Sequence, residues 1–381
     1  MTGCLQVKNG KFYLVLSIYE EGKRKRKWLS TGLPERGNKR RAEQMLREKL
    51  REYELRGGEA HIDVTLSDYI RNWLTLAQKR VDEVTFQGYE VLAKSQLLPY
   101  FDRSGVLLQD VTLKVLQAYI DEKAAHGRID GKGGLSPRSL RLHKNILNQT
   151  IDEAVKMGLL KSNPCIYLEL PKTERYPAKF YSAQQLNDLL TAIQDEPLYP
   201  LIKTTALYGL RRSEVLGLKW DSVDFENDTL TIRHTVSKVT KAVEKDKTKN
   251  ASSHRTFPLL PEVRTLLLAE RAAENENRRL FGEEYHENEY IFKWDDGRPY
   301  SPDYVTDKFS DLLKKYGFPH IRFHELRHSC ASLLINSGFN LKDVQEWMGH
   351  SDIKMTANIY GHLDNARKQG MAEALSASFS V

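Results

Sequence analysis

Cysteine is scarce in this chain, which has only three among its 381 residues, at Cys4, Cys165 and Cys330. Because they are odd in number, far apart and without a C-x-x-C pair, they argue against a disulfide framework and indicate reduced thiols. No run approaches the roughly 18 apolar residues of a membrane span, and the N-terminus has no apolar stretch of signal-peptide length. With 29% charged residues and a mean hydropathy of −0.55, we expect a soluble, globular, cytoplasmic protein.

Positive charge is distributed unevenly along the chain. The formal net charge is +7, and residues 1–60 hold 15 lysines and arginines against 8 acidic residues, which equals the excess of the whole chain. A basic segment ahead of a nearly neutral body predicts contact with a polyanion, most simply nucleic acid. The alternative is a basic face that is only solvated.

The periodicity of apolar residues predicts a multidomain, mainly α protein. Residues 1–58 are predicted to form a small α+β domain, in which a three-stranded sheet precedes one helix. Four helical patterns predict a helical domain over residues 62–172. A proline-marked linker then leads to a mixed, mainly α domain over residues 178–381, in which residues 230–236 and 255–259 read as strands flanking a polar loop at 237–254.

Two basic runs are candidate DNA contacts. The predicted second strand of the N-terminal hairpin carries Lys23, Arg24, Lys25, Arg26 and Lys27. The helix over 136–158 carries Arg138, Arg141 and Lys144 at three-residue spacing, a row that would lie along phosphates if its face is exposed. A solvated face explains the same spacing equally well.

One short segment allows two opposed interpretations. His324-Glu-Leu-Arg-His328 spells H-E-x-x-H, the signature of zinc proteases, with Glu346 or His350 available as a third ligand. Both imidazoles would then have to be neutral and face one metal ion, while Arg327 would lie beside them and oppose a dication. The other interpretation takes His324 and Arg327 as donors to a phosphate.

Residues elsewhere favour the phosphate interpretation. Arg211 and Glu214 are spaced for an ion pair at the start of a helix, where the acid would hold the guanidinium rigid for two phosphate oxygens. Taken alone, this spacing is more typical of an ordinary surface ion pair. A β-hairpin carrying Lys247 follows, then His324 and Arg327, then Gly349-His350 and Tyr360. A zinc protease would leave Arg211, the hairpin with Lys247, Tyr360 and the basic N-terminal segment unexplained.

The ordered set resembles the tyrosine recombinase (phage and transposon integrase) family, and the resemblance extends over the whole chain. The matching pieces are Gly209-Leu-Arg-Arg-Ser-Glu214, Asp246-Lys-Thr248 with Ser253-x-Arg-x-x-Pro258-Leu, Phe323-His-Glu-Leu-Arg-His-Ser329, Trp347-Met-Gly-His-Ser-Asp-Ile353 and Thr356-Ala-Asn-Ile-Tyr-Gly-His362. Each piece is short, but five in the right order are specific. Two alternatives are a catalytically dead DNA-binding module and a type IB topoisomerase. Competent residues at all six catalytic positions disfavour the first, and the N-terminal domain, which resembles an arm-binding domain, favours an integrase over the second.

The resemblance implies a role for each of these residues. Arg211 and Arg327 would clamp the scissile phosphate with His350 as a further donor, and Glu214 would support Arg211. Tyr360 would attack to form a 3′-phosphotyrosine, with His324 as its base and Lys247 as the acid for the leaving 5′-oxygen. Lys245 and Lys249 lie in the same loop as Lys247, so the choice of lysine stays open. Because a covalent link conserves the phosphodiester energy, neither a metal nor ATP is expected, and the sequence has no Walker A motif.

The resemblance also implies domain functions and partners. Residues 1–58 would bind arm-type DNA sites, while residues 62–172 (a SAM-like core-binding domain) and residues 178–381 (the catalytic domain) would clamp core sites. Four protomers would exchange strands through a Holliday junction at the bacterial nucleoid. An excisionase or a host DNA-bending protein is a further expected partner. The implied function is integration and excision of a conjugative transposon or a temperate phage.

Overall fold

The computed structural model describes residues 2–20, 23–55, 64–172, 179–238, 242–245 and 254–360, together with residues 372, 373, 375, 376 and 378. The chain divides into two compact units, Met1–Thr173 and Glu174–Val381. The predicted boundaries of a three-domain division fall in or beside residues 56–63 and 173–178, outside the described ranges, so that division stays a prediction. Within the described ranges, every helix is too short or too polar to span a lipid bilayer.

The first unit begins with the predicted sheet and helix. Strands β1 (Thr2–Lys8), β2 (Lys11–Glu20) and β3 (Lys23–Pro34) form an antiparallel sheet in that order, and helix α1 (Lys39–Leu55) follows. The turn between β1 and β2 is Asn9-Gly10, whose positive φ angles of 52° and 68° suit a tight hairpin. Helix α1 packs on the sheet, as Gly3 of β1 shows: a Cβ atom added there would lie 3.1 Å from the side chain of Leu46 in that helix.

Helices make up the rest of the first unit, as the periodicity predicts. They are α2 (Leu66–Ala77), α3 (Glu83–Leu92), α4 (Leu98–Ser104), α5 (Leu113–His126) and α6 (Pro137–Lys156). Thr65 and Ser136 accept hydrogen bonds from the backbone N–H groups three residues ahead, as N-cap residues do. One of the four helical patterns of this segment extends over residues 84–101, and in the structure a π-helical turn at Ala93–Leu97 interrupts it just before Pro99. Proline removes a backbone donor and crowds the preceding turn, so a wider turn there is expected.

The second unit has eight helices and five short strands among its described residues. The helices are α7 (Ala183–Ala192), α8 (Tyr199–Tyr208), α9 (Arg212–Leu216), α10 (Pro261–Phe281), α11 (Pro302–Lys315), α12 (Phe323–Asn336), α13 (Leu341–Met348) and α14 (Ile353–Tyr360). The strands are β4 (Val223–Asp224), β5 (Thr229–Ile232), β6 (Thr235–Lys238), β7 (Ala242–Lys245) and β8 (Arg255–Pro258). The mainly helical fold with small antiparallel sheets confirms the predicted fold class.

The strand predictions for this unit are partly wrong. Residues 230–236 do not form one strand, because β5 pairs with β4 and β8 whereas β6 pairs with β7 in a separate two-stranded sheet. The predicted polar loop at 237–254 likewise contains β7, which pairs with β6 from Thr235↔Lys245 to Lys238↔Ala242. Alternation within one segment does not reveal that the chain changes sheet between residues 232 and 235.

Candidate active site

Three arginine side chains from distant parts of the second unit contact the C-terminal end of helix α13. The carbonyl oxygens of residues 347–349 each accept a hydrogen bond from a different guanidinium. Arg255 donates from Nε over 3.0 Å to the first carbonyl, Arg327 donates from Nη2 to the second, and Arg211 donates from Nη2 over 2.9 Å to the third. The last carbonyls of a helix lack partners within it and lie at its negative end, so they attract cations.

Glu214 contacts the same three arginines. Its Oε1 accepts from Nη1 of Arg211 at 2.5 Å and from Nη1 of Arg255 at 3.2 Å. Its Oε2 accepts from the backbone N of Arg211 and from Nη2 of Arg255, both at 2.9 Å, and lies 3.8 Å from Nη1 of Arg327. We call these four residues the Glu214 cluster. The carboxylate is only 2% exposed, so an ordinary surface ion pair with Arg211 is excluded.

The Glu214 cluster carries net positive charge. Burial by itself would raise the pKa of Glu214, but the guanidinium groups of Arg255, Arg211 and Arg327 outweigh it and lower the pKa to about 2. The pKa of Arg327 is lowered to about 9, by burial first and then by Arg211, so this side chain is still a cation at neutral pH. Three cations around one anion leave two net positive charges, which is suited to an anionic phosphate.

Glycine at position 209 is required for this geometry. Gly209 ends helix α8 with a positive φ of 64°, and an added Cβ atom would lie 2.7 Å from the Met348 side chain. Its carbonyl oxygen accepts a hydrogen bond of 2.7 Å from Nη1 of Arg327. A side chain at this position would therefore both strain the backbone and push against the end of α13.

His350 follows directly after the carbonyls of residues 347–349. Its ring is 5% exposed, and its Nδ1 lies 2.9 Å from Oγ1 of the fully buried Thr356. If the hydroxyl donates to Nδ1, the proton of the neutral ring is on Nε2 and Nε2 is a donor. Burial first, and then the cations Arg327 and Arg211, together lower the pKa of His350 to about 3. The imidazole is therefore neutral at physiological pH.

His324 lies in the first turn of α12, three residues before Arg327. Its pKa is lowered, first by loss of hydration and then by His328, Arg327 and Arg211. The residue is nonetheless exposed on the surface of the unit, so its ring keeps part of its hydration. Its ring contacts His328 edge to face, with the ring centroids 5.1 Å apart. His324 is thus a neutral imidazole, as a proton acceptor must be.

The buried histidine predicts a specific pH dependence of stability. Because the folded-state pKa of His350 lies below its model value of 6.5, the unfolded chain binds the proton first, and stability falls as the pH falls from about 6.5 towards 3. At pH 5 this loss is about 2 kcal/mol, whereas the contribution of Glu214 is lost only at lower pH. Urea unfolding at pH 7 and pH 5 should show that His350→Gln loses about 2 kcal/mol less stability than the parent. The exposed His286→Gln variant should behave like the parent, and equal pH dependence in all three proteins would contradict the assignment.

The contacts of Glu325 exclude the interpretation of the H-E-x-x-H segment as a zinc-protease site. Glu325 is 5% exposed and caps its own helix, accepting 2.5 Å from the backbone N of Arg322 and 2.9 Å from Nη2 of the same residue. A metalloprotease needs this carboxylate free to act as a base. Within the described ranges, no three His, Cys, Asp or Glu side chains are placed to hold a metal ion.

For two predicted catalytic residues, the side chain is outside the described features of the structure. Lys247 lies outside the described residues, as does Lys249, and strand β7 ends at Lys245, whose side chain is not described. Helix α14 ends at Tyr360, but the described features do not include its side chain. Their catalytic roles remain predictions.

The predicted DNA-binding residues differ in exposure. Arg26 and Lys27 on β3 are exposed, as are Arg138 and Arg141 on α6. The side chains of residues 23–25 are outside the described features. The prediction that Lys144 shares the exposed face of α6 is wrong, because its ammonium group is half-buried and donates a 2.7 Å hydrogen bond to the carbonyl of Leu168.

Arg255 is the residue of this site that the sequence-based assignment left without a role. It was only part of a family-like motif, and its partner Glu214 lies 41 positions away. A weak signal was present, because an arginine beside the buried Phe257 of β8 needs an anionic or carbonyl partner if it is buried as well. That signal does not say which partner it has.

Comparison with known proteins identifies the family of the chain. The model of the Phage integrase family matches residues 179–367, and that of the phage integrase N-terminal SAM-like domain matches residues 65–124. A tyrosine recombinase XerC of Serratia marcescens is 30% identical over 238 residues, which cover 61% of this chain and 71% of the relative. The chain belongs to the phage integrase family of tyrosine recombinases.

As a member of this family, the protein is an enzyme that transfers DNA strands. A XerC-like tyrosine recombinase of Caldanaerobacter subterraneus is 28% identical over 343 residues, or 83% of this chain and 84% of the relative. The integrase of transposon Tn1549, solved in complex with a circular intermediate DNA, has the same fold. Its TM-score is 0.65 at 24% identity, covering 82% of this chain and 99% of that one.

Proposed function

We propose that this protein integrates and excises a mobile element by cutting and rejoining DNA through a 3′-phosphotyrosine intermediate and a Holliday junction. The observation that carries the proposal is the Glu214 cluster, in which Arg211 and Arg327 meet at the end of α13 directly before His350. Two net positive charges and a neutral imidazole donor at one point suit the phosphorane-like transition state of phosphodiester transfer. Preorganised donors of this kind are worth a few kcal/mol each.

In the proposed reaction Tyr360 is the nucleophile. Its oxygen bonds to the scissile phosphorus, the bond from phosphorus to the 5′-oxygen breaks, and the 3′-phosphate stays on the tyrosine. An unperturbed phenol has a pKa of about 10, so the neutral His324 takes its proton. A loop lysine, Lys247 by preference over Lys245 and Lys249, protonates the leaving 5′-oxygen. Rejoining is the reverse attack by the 5′-hydroxyl of the partner duplex.

The energy of the cleaved bond is kept in the tyrosyl ester throughout this sequence. The reaction as proposed therefore needs neither ATP nor a metal cofactor. Each duplex is cut once on each strand, so recombination of two duplexes needs four tyrosines, which supports the proposed homotetramer on DNA. An excisionase or a host DNA-bending protein would set the direction of the reaction.

The N-terminal segment is proposed to bind arm-type sites separate from the core sites. In support, it holds the charge excess of the chain, and Arg26 and Lys27 are exposed on β3. The core-binding role of residues 62–172 and the catalytic role of residues 178–381 are proposed on the same family basis. Arg138 and Arg141 are proposed as phosphate contacts of the core-binding segment.

Removing residues 1–58 should separate cleavage from recombination. On full-length attachment DNA taken from the ends of the element, we expect the full chain to give four-way junctions and recombinants. The shortened chain should cleave isolated core sites at a similar rate but recombine full-length sites at least about tenfold less, because it has lost its contacts with the arm-type sites. Each lost phosphate contact also weakens the binding of full-length DNA and lowers the salt dependence of that binding. Electrophoresis of labelled DNA measures both steps.

A matched substitution controls for the deletion. Replacing residues 23–27 by glutamine should reproduce the defect, whereas glutamine at Lys39, Arg40 and Arg41, at the start of α1, removes three positive charges of the same segment without touching β3 and should not. Equal recombination by the full and shortened chains would contradict the arm-binding role. Relaxation of supercoiled DNA without any strand exchange would instead indicate a topoisomerase.

A further inference from the structure

We propose that Arg255 is a positioning residue of the active site, which holds Glu214 and thereby Arg211 in place for the scissile phosphate. This inference rests on the proposed function. Arg255 is the first residue of β8 and follows the segment that contains Lys247. It is absent from the set of residues to which the family resemblance assigns a role. Its side chain is only 9% exposed.

All three guanidinium nitrogens of Arg255 are occupied by the protein itself. Nη1 and Nη2 form a two-pronged contact with the Glu214 carboxylate at 3.2 and 2.9 Å, and Nε donates to the carbonyl of Trp347 at 3.0 Å. The guanidinium carbon also lies 5.1 Å from the ring centroid of Phe257. A planar fork engaged on both edges fixes its partners in distance and angle. Arg255 therefore acts through its partners.

Arg255 connects three elements that each supply part of the phosphate site. Glu214 belongs to α9 and orients Arg211, Trp347 belongs to the end of α13 just before His350, and Arg255 itself begins β8. Because both carboxylate oxygens of Glu214 are shared between Arg255 and Arg211, the first guanidinium prevents the carboxylate from turning. Without Arg255, the carboxylate is free to follow Arg211 and to change the direction of its fork.

Loss of Arg255 would also change the charge of the site. Three cations around Glu214 leave two net positive charges, and two cations leave one. A displacement of about 1 Å in a positioning group costs on the order of 100-fold in rate. We therefore expect Arg255→Gln to lower the rate of DNA cleavage by about 100-fold while the affinity for core DNA changes by less than about threefold.

A second effect, displacement of the general acid Lys247, has to be distinguished from displacement of Arg211. Arg255 begins β8, the strand that follows the segment containing that lysine. A substrate with sulfur in place of the bridging 5′-oxygen separates the two effects. A thiolate leaves without protonation, so this substrate restores cleavage to a variant that lacks its general acid, such as Lys247→Ala. It does not repair a misplaced phosphate clamp.

The experiment compares single-turnover cleavage of oxygen and sulfur substrates by the parent, Arg255→Gln, Arg255→Lys, Lys247→Ala and Arg264→Gln. Arg264, on α10 of the same unit, is a matched control, since it forms a half-exposed ion pair with Asp228. We expect Arg255→Gln to be slow on both substrates, Arg255→Lys to recover part of the rate, and Arg264→Gln to match the parent.

Three results would overturn the proposal: cleavage by Arg255→Gln within about threefold of the parent, rescue of that variant by sulfur, or equal losses of DNA affinity and cleavage. If the glutamine variant does not fold, Arg255→Lys decides. A folded lysine variant that is as fast as the parent contradicts the need for the fork, and a slow one that sulfur does not rescue supports it. A parent chain that forms no covalent adduct would instead refute the proposed function, independently of Arg255.

Discussion

Replacing Tyr360 by phenylalanine is expected to abolish the covalent protein–DNA adduct and to lower strand cleavage by about 10⁴-fold or more, as loss of a catalytic nucleophile does. The change removes one oxygen and leaves the rest of the side chain. Affinity for core DNA should therefore stay within about threefold of the parent. A denaturing gel of labelled DNA and a gel-shift titration measure the two quantities.

The control for this variant is another tyrosine of the same unit. Tyr316→Phe removes a hydroxyl that donates to Glu196 at 3.0 Å, away from the Glu214 cluster. It should form the adduct at the parental rate. An adduct that persists in Tyr360→Phe would show that another residue is the nucleophile.

Replacing Arg211 by lysine is expected to slow cleavage by 10²- to 10³-fold, the usual cost of one preorganised donor to a transition state. The guanidinium bonds Glu214 through Nη1 and the carbonyl of Gly349 through Nη2 at the same time. A lysine keeps the charge but offers a single nitrogen, which cannot hold both partners and a phosphate in one plane. Binding of core DNA should change little, because the charge is retained.

The adjacent arginine is a matched control for this change. Arg212 points elsewhere, since its Nη1 donates to the carbonyl of Pro302 at 3.0 Å and to Oγ1 of Thr306 at 2.5 Å. Arg212→Lys should therefore cleave DNA at nearly the parental rate. If both variants lose activity equally, or if Arg211→Lys stays within about threefold of the parent, the proposed clamp is wrong. Urea unfolding of both variants checks that the folded state is retained.

Much of this site was predictable because its parts are local. The pairing of Arg211 with Glu214 follows from their spacing at a helix start, and it is present at 2.5 Å. The sequence Gly349-His350 places a left-handed C-cap directly before a histidine. The N-terminal sheet and the caps at Thr65 and Ser136 were also predictable from turn and capping residues.

The remaining features depend on contacts between distant segments. Nothing near Arg255 in the sequence indicates that its fork binds Glu214, and nothing near Lys144 indicates that Leu168 covers it. The passage from β5 to β6 changes sheet because of where β4, β7 and β8 lie. These are tertiary effects, which override patterns read within one segment.

In the H-E-x-x-H segment, too, the contacts of the side chains decide between interpretations that the sequence pattern leaves open. His324, Glu325 and His328 have the right spacing, but Glu325 caps α12 and Arg327 belongs to the Glu214 cluster. The spacing alone fits a zinc site and a phosphate site equally, whereas the hydrogen-bond partners of these side chains fit only the phosphate site.

The most direct test of the account is covalent trapping on a nicked duplex that carries the attachment core, with EDTA present and ATP absent. The short strand beyond the cut diffuses away, so the cleaved intermediate accumulates. We predict a denaturation-resistant complex that carries the label upstream of the cut, a free 5′-hydroxyl on the released strand, and a DNA-linked peptide containing Tyr360. No complex, a complex carrying the downstream label, or a linkage to another residue would contradict the account.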